Sequence, residues 1–178
     1  MERSITRLAY GYKFRLFPEG SADEAVYSPA FDDSAWDTVR VPHDWAASGE
    51  FAELNDASYQ AIAADGITRP IEHSGRTGAL PIVGLGVYRL WIDLAKEDEG
   101  KAITLEFDGV MWDSHIYVNG KPAFFNHFGY KSFSVDISEF ANYGEPTLIT
   151  VAARVYEDCS RWYPGAGIYR NVSLVKMG

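Results

Sequence analysis

The sequence holds a single cysteine, Cys159, in 178 residues. No intrachain disulfide can form, so the fold has to rest on its core, and the redox compartment stays open. Cationic side chains are few: 16 Lys and Arg stand against 25 Asp and Glu, for a net charge of −9. Phosphate backbones and anionic lipid surfaces need clustered Lys and Arg, so a nucleic-acid or membrane-surface partner is excluded on charge. No apolar run approaches the roughly 20 residues that span a bilayer. The N-terminus lacks the apolar stretch of a signal peptide. That leaves location undetermined: periplasmic or secreted if a signal has been removed, cytoplasmic otherwise.

Chemical motifs are as sparse. There is no CxxC, HExxH or GxSxG, and the four histidines, His43, His73, His115 and His127, show no metal-ligand spacing. Gly84-Leu85-Gly86 precedes a strand pattern rather than a helix, which removes a nucleotide loop. Glycosidases need two carboxylates about 5–5.5 Å apart in the retaining case. The adjacent acids here, Asp32-Asp33 and Glu97-Asp98-Glu99, sit in turn-like segments where they are solvated, so no pair is assigned. Asn171-Val172-Ser173 matches a glycosylation sequon but falls within a strand.

What the chain has in quantity is flat rings, with 11 Tyr, 10 Phe and 5 Trp. Such side chains fill a β-sandwich core and also suit contact with sugars, the core being the default. Alternation of apolar and polar residues predicts strands over 10–17, 39–41, 87–94, 102–107, 114–118, 122–128, 132–137, 147–155 and 168–176. Tyr88, Leu90, Ile92 and Leu94 face one way, and Arg89, Trp91 and Asp93 the other. Asn119-Gly120 between two of these runs signals a hairpin with a type I′ turn. Residues 31–36 offer a one-turn helix with acidic capping, 56–64 a helical turn or two, and 138–143 a further helical turn. Residues 46–86 are otherwise a long irregular stretch, which in a compact domain is functional or packed over an edge. Eight or nine strands with almost no helix predict an all-β, antiparallel sandwich of jelly-roll type, forming a single domain over 1–178.

Two loops gather polar and aromatic residues: Gly75-Arg76-Thr77-Gly78, and Glu157-Asp158-Cys159-Ser160-Arg161-Trp162. Sugar sites pair a flat ring with bidentate polar contacts to hydroxyls. Asp158 and Arg161 fit that chemistry and equally fit a structural ion pair. After them, Pro164-Gly165-Ala166-Gly167 reads as a tight turn.

These segments resemble glycoside hydrolase family 2. The resemblance rests on Val41-Pro42-His43-Asp44-Trp45, on Leu105 to Val110 with Ile116 to Lys121, on Gly129-Tyr130 with Phe133 and Asp136-Ile137-Ser138, and on Ser160 to Arg170. Gly75-Arg76-Thr77-Gly78 through Tyr88-Arg89 is similar to a variant seen in β-galactosidase-like members from gut Bacteroidetes. The match runs in order along nearly the whole chain. It implies the N-terminal sugar-binding, jelly-roll domain of a retaining exo-β-glycosidase. In the family an immunoglobulin-like sandwich and a TIM barrel follow, and the barrel carries both catalytic glutamates. The resemblance therefore implies no catalytic residue in this chain, a carbohydrate substrate, the enzyme's own later domains as partners, and a homo-oligomeric whole enzyme as one option. It maps Asp158 to an acidic residue that contacts the sugar and a bound sodium, and implies no other cofactor. It brings Arg76 and Thr77 near a substrate-contacting position, with Arg161 and Trp162 beside Asp158. A stand-alone carbohydrate-binding module and a purely structural interdomain domain are the competing readings.

Overall fold

The computed structural model describes residues 3–47, 49, 60–62, 65–66, 68–70, 82–156 and 165–178. Twelve strands and two single turns of 3-10 helix are the regular elements among them. The strands are β1 (Arg3–Arg7), β2 (Tyr12–Phe17), β3 (Asp37–Val39), β4 (Gln60–Ile62), β5 (Thr68–Pro70) and β6 (Gly84–Asp93), followed by β7 (Ala102–Phe107), β8 (Asp113–Val118), β9 (Lys121–Asn126), β10 (Phe133–Asp136), β11 (Pro146–Val155) and β12 (Val172–Met177). One sheet has the order β1-β12-β7-β10 and the other β3-β2-β6-β11-β8-β9, while β4 and β5 form a separate ribbon. Each of these pairings is antiparallel. The result is the expected antiparallel β-sandwich.

The core lies between the two larger sheets. Tyr12 and Phe14, Tyr88, Leu90 and Ile92, and Val151 and Ala153 point in from one sheet. Ile103, Leu105 and Phe107, Val135, and Leu174 point in from the other. These are the inward phases of period-two strands, and each fully buried aliphatic side chain contributes about 1.5–3 kcal/mol. The 119–120 turn has φ of 51° at Asn119 and 79° at Gly120, both positive as a type I′ turn requires. Asn119 also holds the next layer in place: its Oδ1 accepts from Leu148 N at 2.9 Å, and its Nδ2 donates to Phe140 O at 2.8 Å.

A second, smaller core covers the outer face of the six-stranded sheet. Val26 and Trp36 from the 18–36 segment pack on Leu85, Val87 and Ala152. Arg89 pins that segment down. Its Nε donates to Asp33 Oδ2 at 2.7 Å, Nη1 donates to the carbonyls of Val26 and Ser28, and Nη2 donates to Phe31 O at 3.3 Å. Only 1% of Arg89 is exposed. A buried cation is tolerable when its donors are matched, and the planar guanidinium fork reaches four acceptors at once.

Local features differ from the sequence reading: residues 138–143 hold a hydrogen-bonded turn without a helix, and the last strand begins at Val172 rather than 168. Residues 31–36 form hydrogen-bonded turns rather than a helical turn, with Asp32 Oδ1 accepting from Ser34 N. The acid-capped 3-10 turn is instead at Glu24–Tyr27, where Asp23 accepts from Ala25 N. Within the 56–64 stretch, Gln60–Ile62 is a strand, and the rest of that stretch lies outside the described residues. The strand at Arg3–Arg7 is an addition. All five of its residues are exposed, and its backbone pairing to β12 holds it.

Candidate functional site

Four strand ends meet at one end of the six-stranded sheet. Gly84 opens β6 opposite Val155, which closes β11. Leu85 pairs with Phe17, the last residue of β2. Asp113, the first residue of β8, pairs with Arg154. The chain carrying Arg76 and Thr77 runs into β6 at this end. The chain carrying Asp158, Arg161 and Trp162 runs out of β11 beside it. All five of these residues lie outside the described residues. What the structure places is the pair of strand ends that anchor the two loops, and those ends are hydrogen-bonded neighbours.

Beneath this mouth sits the 41–45 segment. The backbone of His43 donates to Ile168 O at 2.7 Å, and its ring Nδ1 is 2.9 Å from Tyr88 Oη. Asp44 Oδ1 accepts from the backbone N–H groups of Ala46 and Ala47, which turns the chain. Trp45 donates Nε1–H to Ile82 O at 2.8 Å, just ahead of β6. Its ring lies where side chains at Gly86 or Gly167 would otherwise go. These residues are a buried structural hub joining the 41–45 segment, β6 and the closing 165–170 segment.

Burial pushes the pKa of His43 below its usual value, and the charges of Asp44 and Asp37 offset this only in part. The folded pKa thus lies below the unfolded value of about 6.5. Above pH 6.5 both states are neutral and nothing is lost. As pH falls below 6.5 the unfolded chain takes up a proton that the folded chain resists, so stability declines. Urea midpoints measured at pH 7.5 and 5.5 should fall with acid, and the fall should be smaller in His43→Gln. Equal falls in both proteins would dismiss the effect.

At the rim of the mouth stands a group that motif reading passed over. Tyr156 Oη donates to Asp113 Oδ2 at 2.7 Å, and its ring meets the Trp112 ring edge-on at 6.4 Å. The hydrogen bond to Asp113 leads the causes that raise the Tyr156 pKa. His127 pairs with the other oxygen of Asp113. The Arg154 guanidinium lies over the Tyr156 ring, 4.7 Å from its centroid. Beside it is a cleft of about 250 Å³, lined by residues 18–20, 83–84 and 154–156. Arg154 is the charged residue of β11, and Tyr156 follows that strand at the same phase. A larger cleft of about 570 Å³ lies at the opposite end, beside the 119–120 turn. Its two rings, Tyr27 and Tyr117, stack on each other at 4.2 Å, so the faces turned toward each other are closed to a ligand. Among the described residues, no group of three or more His, Cys, Asp and Glu is placed to hold a metal ion.

The fold places the chain among antiparallel β-sandwich domains. The chain belongs to the glycosyl hydrolases family 2 sugar binding domain, whose model matches residues 5–178. It is 38% identical over 151 residues to β-galactosidase BoGH2A of Bacteroides ovatus, covering 84% of this chain and 16% of that protein. It is 30% identical to a putative β-glucuronidase of Formosa agariphila, covering 82% of this chain and 12% of that protein. A family 2 glycosyl hydrolase from Bacteroides cellulosilyticus superposes with a TM-score of 0.80 at 25% identity, covering 97% of this chain and 20% of that one. A β-glycosidase from Bacteroides vulgatus gives 0.78 at 26% identity, covering 96% and 20%. The chain thus spans less than a fifth of the length of these two curated relatives.

Proposed function

We propose that the chain is one domain, 1–178, of a retaining exo-β-glycosidase of β-galactosidase type, and that it forms one wall of the substrate pocket. Bond cleavage falls to the two glutamates of a TIM barrel elsewhere in such an enzyme, with an immunoglobulin-like sandwich between. The observation that carries this reading is the Gly84–Val155 pairing, which brings the roots of the 71–81 and 157–164 segments together at one mouth. Family membership supplies the class of ligand. Asp158 accepts hydrogen bonds from sugar hydroxyls, Arg76, Thr77 and Arg161 add polar contacts, and Trp162 offers a ring face. The rigid hub of His43, Trp45 and Tyr88 beneath them limits how far the loop roots can shift, which is how a remote wall preserves reactive geometry.

Asp158→Asn keeps shape and removes charge. In the enzyme carrying this module it should lower kcat/KM on an aryl β-galactoside at least tenfold, about 1.4 kcal/mol of lost transition-state binding. Kinetics equal to those of the parent enzyme would end the wall-forming role of Asp158.

A further inference from the structure

The strongest unexplained group is Arg154. Among the described residues Arg3 and Arg89 are the arginines that pair with carboxylates. Arg154, like Arg15 and Arg40, rests on a ring, and Arg154 alone of these three borders a cleft. Among the described residues Arg154 has no ion pair and no side-chain hydrogen bond; its contact is the Tyr156 ring. The acid opposite it in register, Asp113, accepts from Tyr156 through Oδ2, and its Oδ1 lies against the His127 ring. Glu19 stands on the rim of the same cleft but outside ion-pair distance.

The guanidinium is nonetheless held. Tyr156 supports it from below, and the Tyr156 ring is itself fixed by Asp113 and Trp112. On another side lies the bare backbone of Gly20, at φ +74°, where an added Cβ would come within 3.1 Å of Arg154 Nη2. A stacked arginine loses little further freedom on binding, and its fork of N–H donors matches a carboxylate or sulfate in bidentate fashion. The cleft beside it, about 250 Å³, has room for an anionic substituent together with part of a sugar ring.

We infer that Arg154 on Tyr156 is an anion subsite at the mouth, taking a carboxylate or sulfate group carried by a saccharide while Glu19 accepts from a neighbouring sugar hydroxyl. This names a substrate class for the site proposed above and rests on that reading. The subsite binds; it takes no part in bond cleavage.

The test is a titration of the 178-residue chain, followed by the Arg154 Nε–Hε NMR signal, with four probes: D-glucuronate, D-galactose 6-sulfate, D-galactose and inorganic sulfate. The two acidic sugars should shift that signal saturably and bind at least fivefold tighter than galactose. Arg154→Gln should erase the preference, Arg154→Lys should retain part of it, and the remote Arg3→Gln should leave it intact. For Arg154→Gln, whose own reporter is absent, the Tyr156 ring signals serve. Equal affinity for acidic and neutral sugars, or a preference that survives Arg154→Gln, would overturn the inference. Inorganic sulfate binding as tightly as the sugar sulfate would overturn the saccharide assignment. None of these outcomes depends on Asp158, so the subsite can fail while the wall-forming reading stands, and the Asp158→Asn kinetics report on that reading separately.

Discussion

Gly167→Ala is expected to destabilise the protein by about 3–5 kcal/mol, from strain at a positive φ and from overpacking together. Gly167 sits at φ +79°, a region costly for any residue with a Cβ. The added carbon would fall 2.1 Å from Tyr88 Oη and 2.8 Å from the Trp45 ring. Neither neighbour can yield cheaply. Tyr88 is fully buried and its hydroxyl meets His43, while Trp45 is tied to Ile82. The backbone of Gly167 is fixed too, since it exchanges hydrogen bonds with Met111 in both directions, at 2.8 and 2.6 Å. Urea denaturation would measure the loss. Gly100→Ala is a suitable control, because Gly100 shares a positive φ but has open space where its Cβ would go. It isolates the backbone term and should cost about 1–2 kcal/mol. A Gly167→Ala loss no larger than that of the control would mean the hub tolerates expansion.

Arg89→Met is the second large effect, expected at about 3–5 kcal/mol. The substitution keeps an apolar stem of similar length but leaves three backbone carbonyls and the Asp33 carboxylate without their donor. Removing one partner from a buried set costs more than the set itself contributed, because the remaining groups stay desolvated. Asp33 is partly exposed and recovers some hydration, which favours the lower half of that range. The double variant Arg89→Met with Asp33→Asn should lie within about 1 kcal/mol of Arg89→Met, since the two residues act through one contact. Limited proteolysis gives an independent readout, with new cleavage between residues 18 and 36 in Arg89→Met. Additive losses and an unchanged digestion pattern would argue that Arg89 does not clamp this segment.

These two sites mark how far the sequence could be read. Alternation over residues 87–94 correctly separated Tyr88, Leu90 and Ile92 from Arg89 and Trp91. Period two says which face a residue takes but not whether that face is covered. Whether the face of Arg89 is covered depends on the 18–36 segment, which lies over it. The hairpin at Asn119-Gly120 was legible because its geometry is local to two residues. Arg3–Arg7 was not, since its strand has no buried face to impose a pattern and depends on a partner some 170 positions away in the chain. At the mouth, family likeness rather than periodicity pointed to Asp158. Arg154 and Tyr156 were overlooked because their meaning depends on Asp113 and Gly20, which no spacing rule connects to them.

The strand order also bears on how the chain acquires its shape during synthesis. β1 is made some 170 residues ahead of β12 and pairs only with it, while β12 lies between β1 and β7 in the sheet. The hydrogen bond from His43 to Ile168 likewise waits for residues made well over 100 positions later. At roughly 5–20 residues per second, about 10–30 s pass between emergence of the first strand and completion of the last. From its own synthesis until β12 follows, β7 with Ile103, Leu105 and Phe107 lacks its β12 neighbours, and the hub around Trp45 is open on one side. A nascent chain of this topology would be most vulnerable just before β12 has left the ribosome. Chaperone demand should peak at that moment.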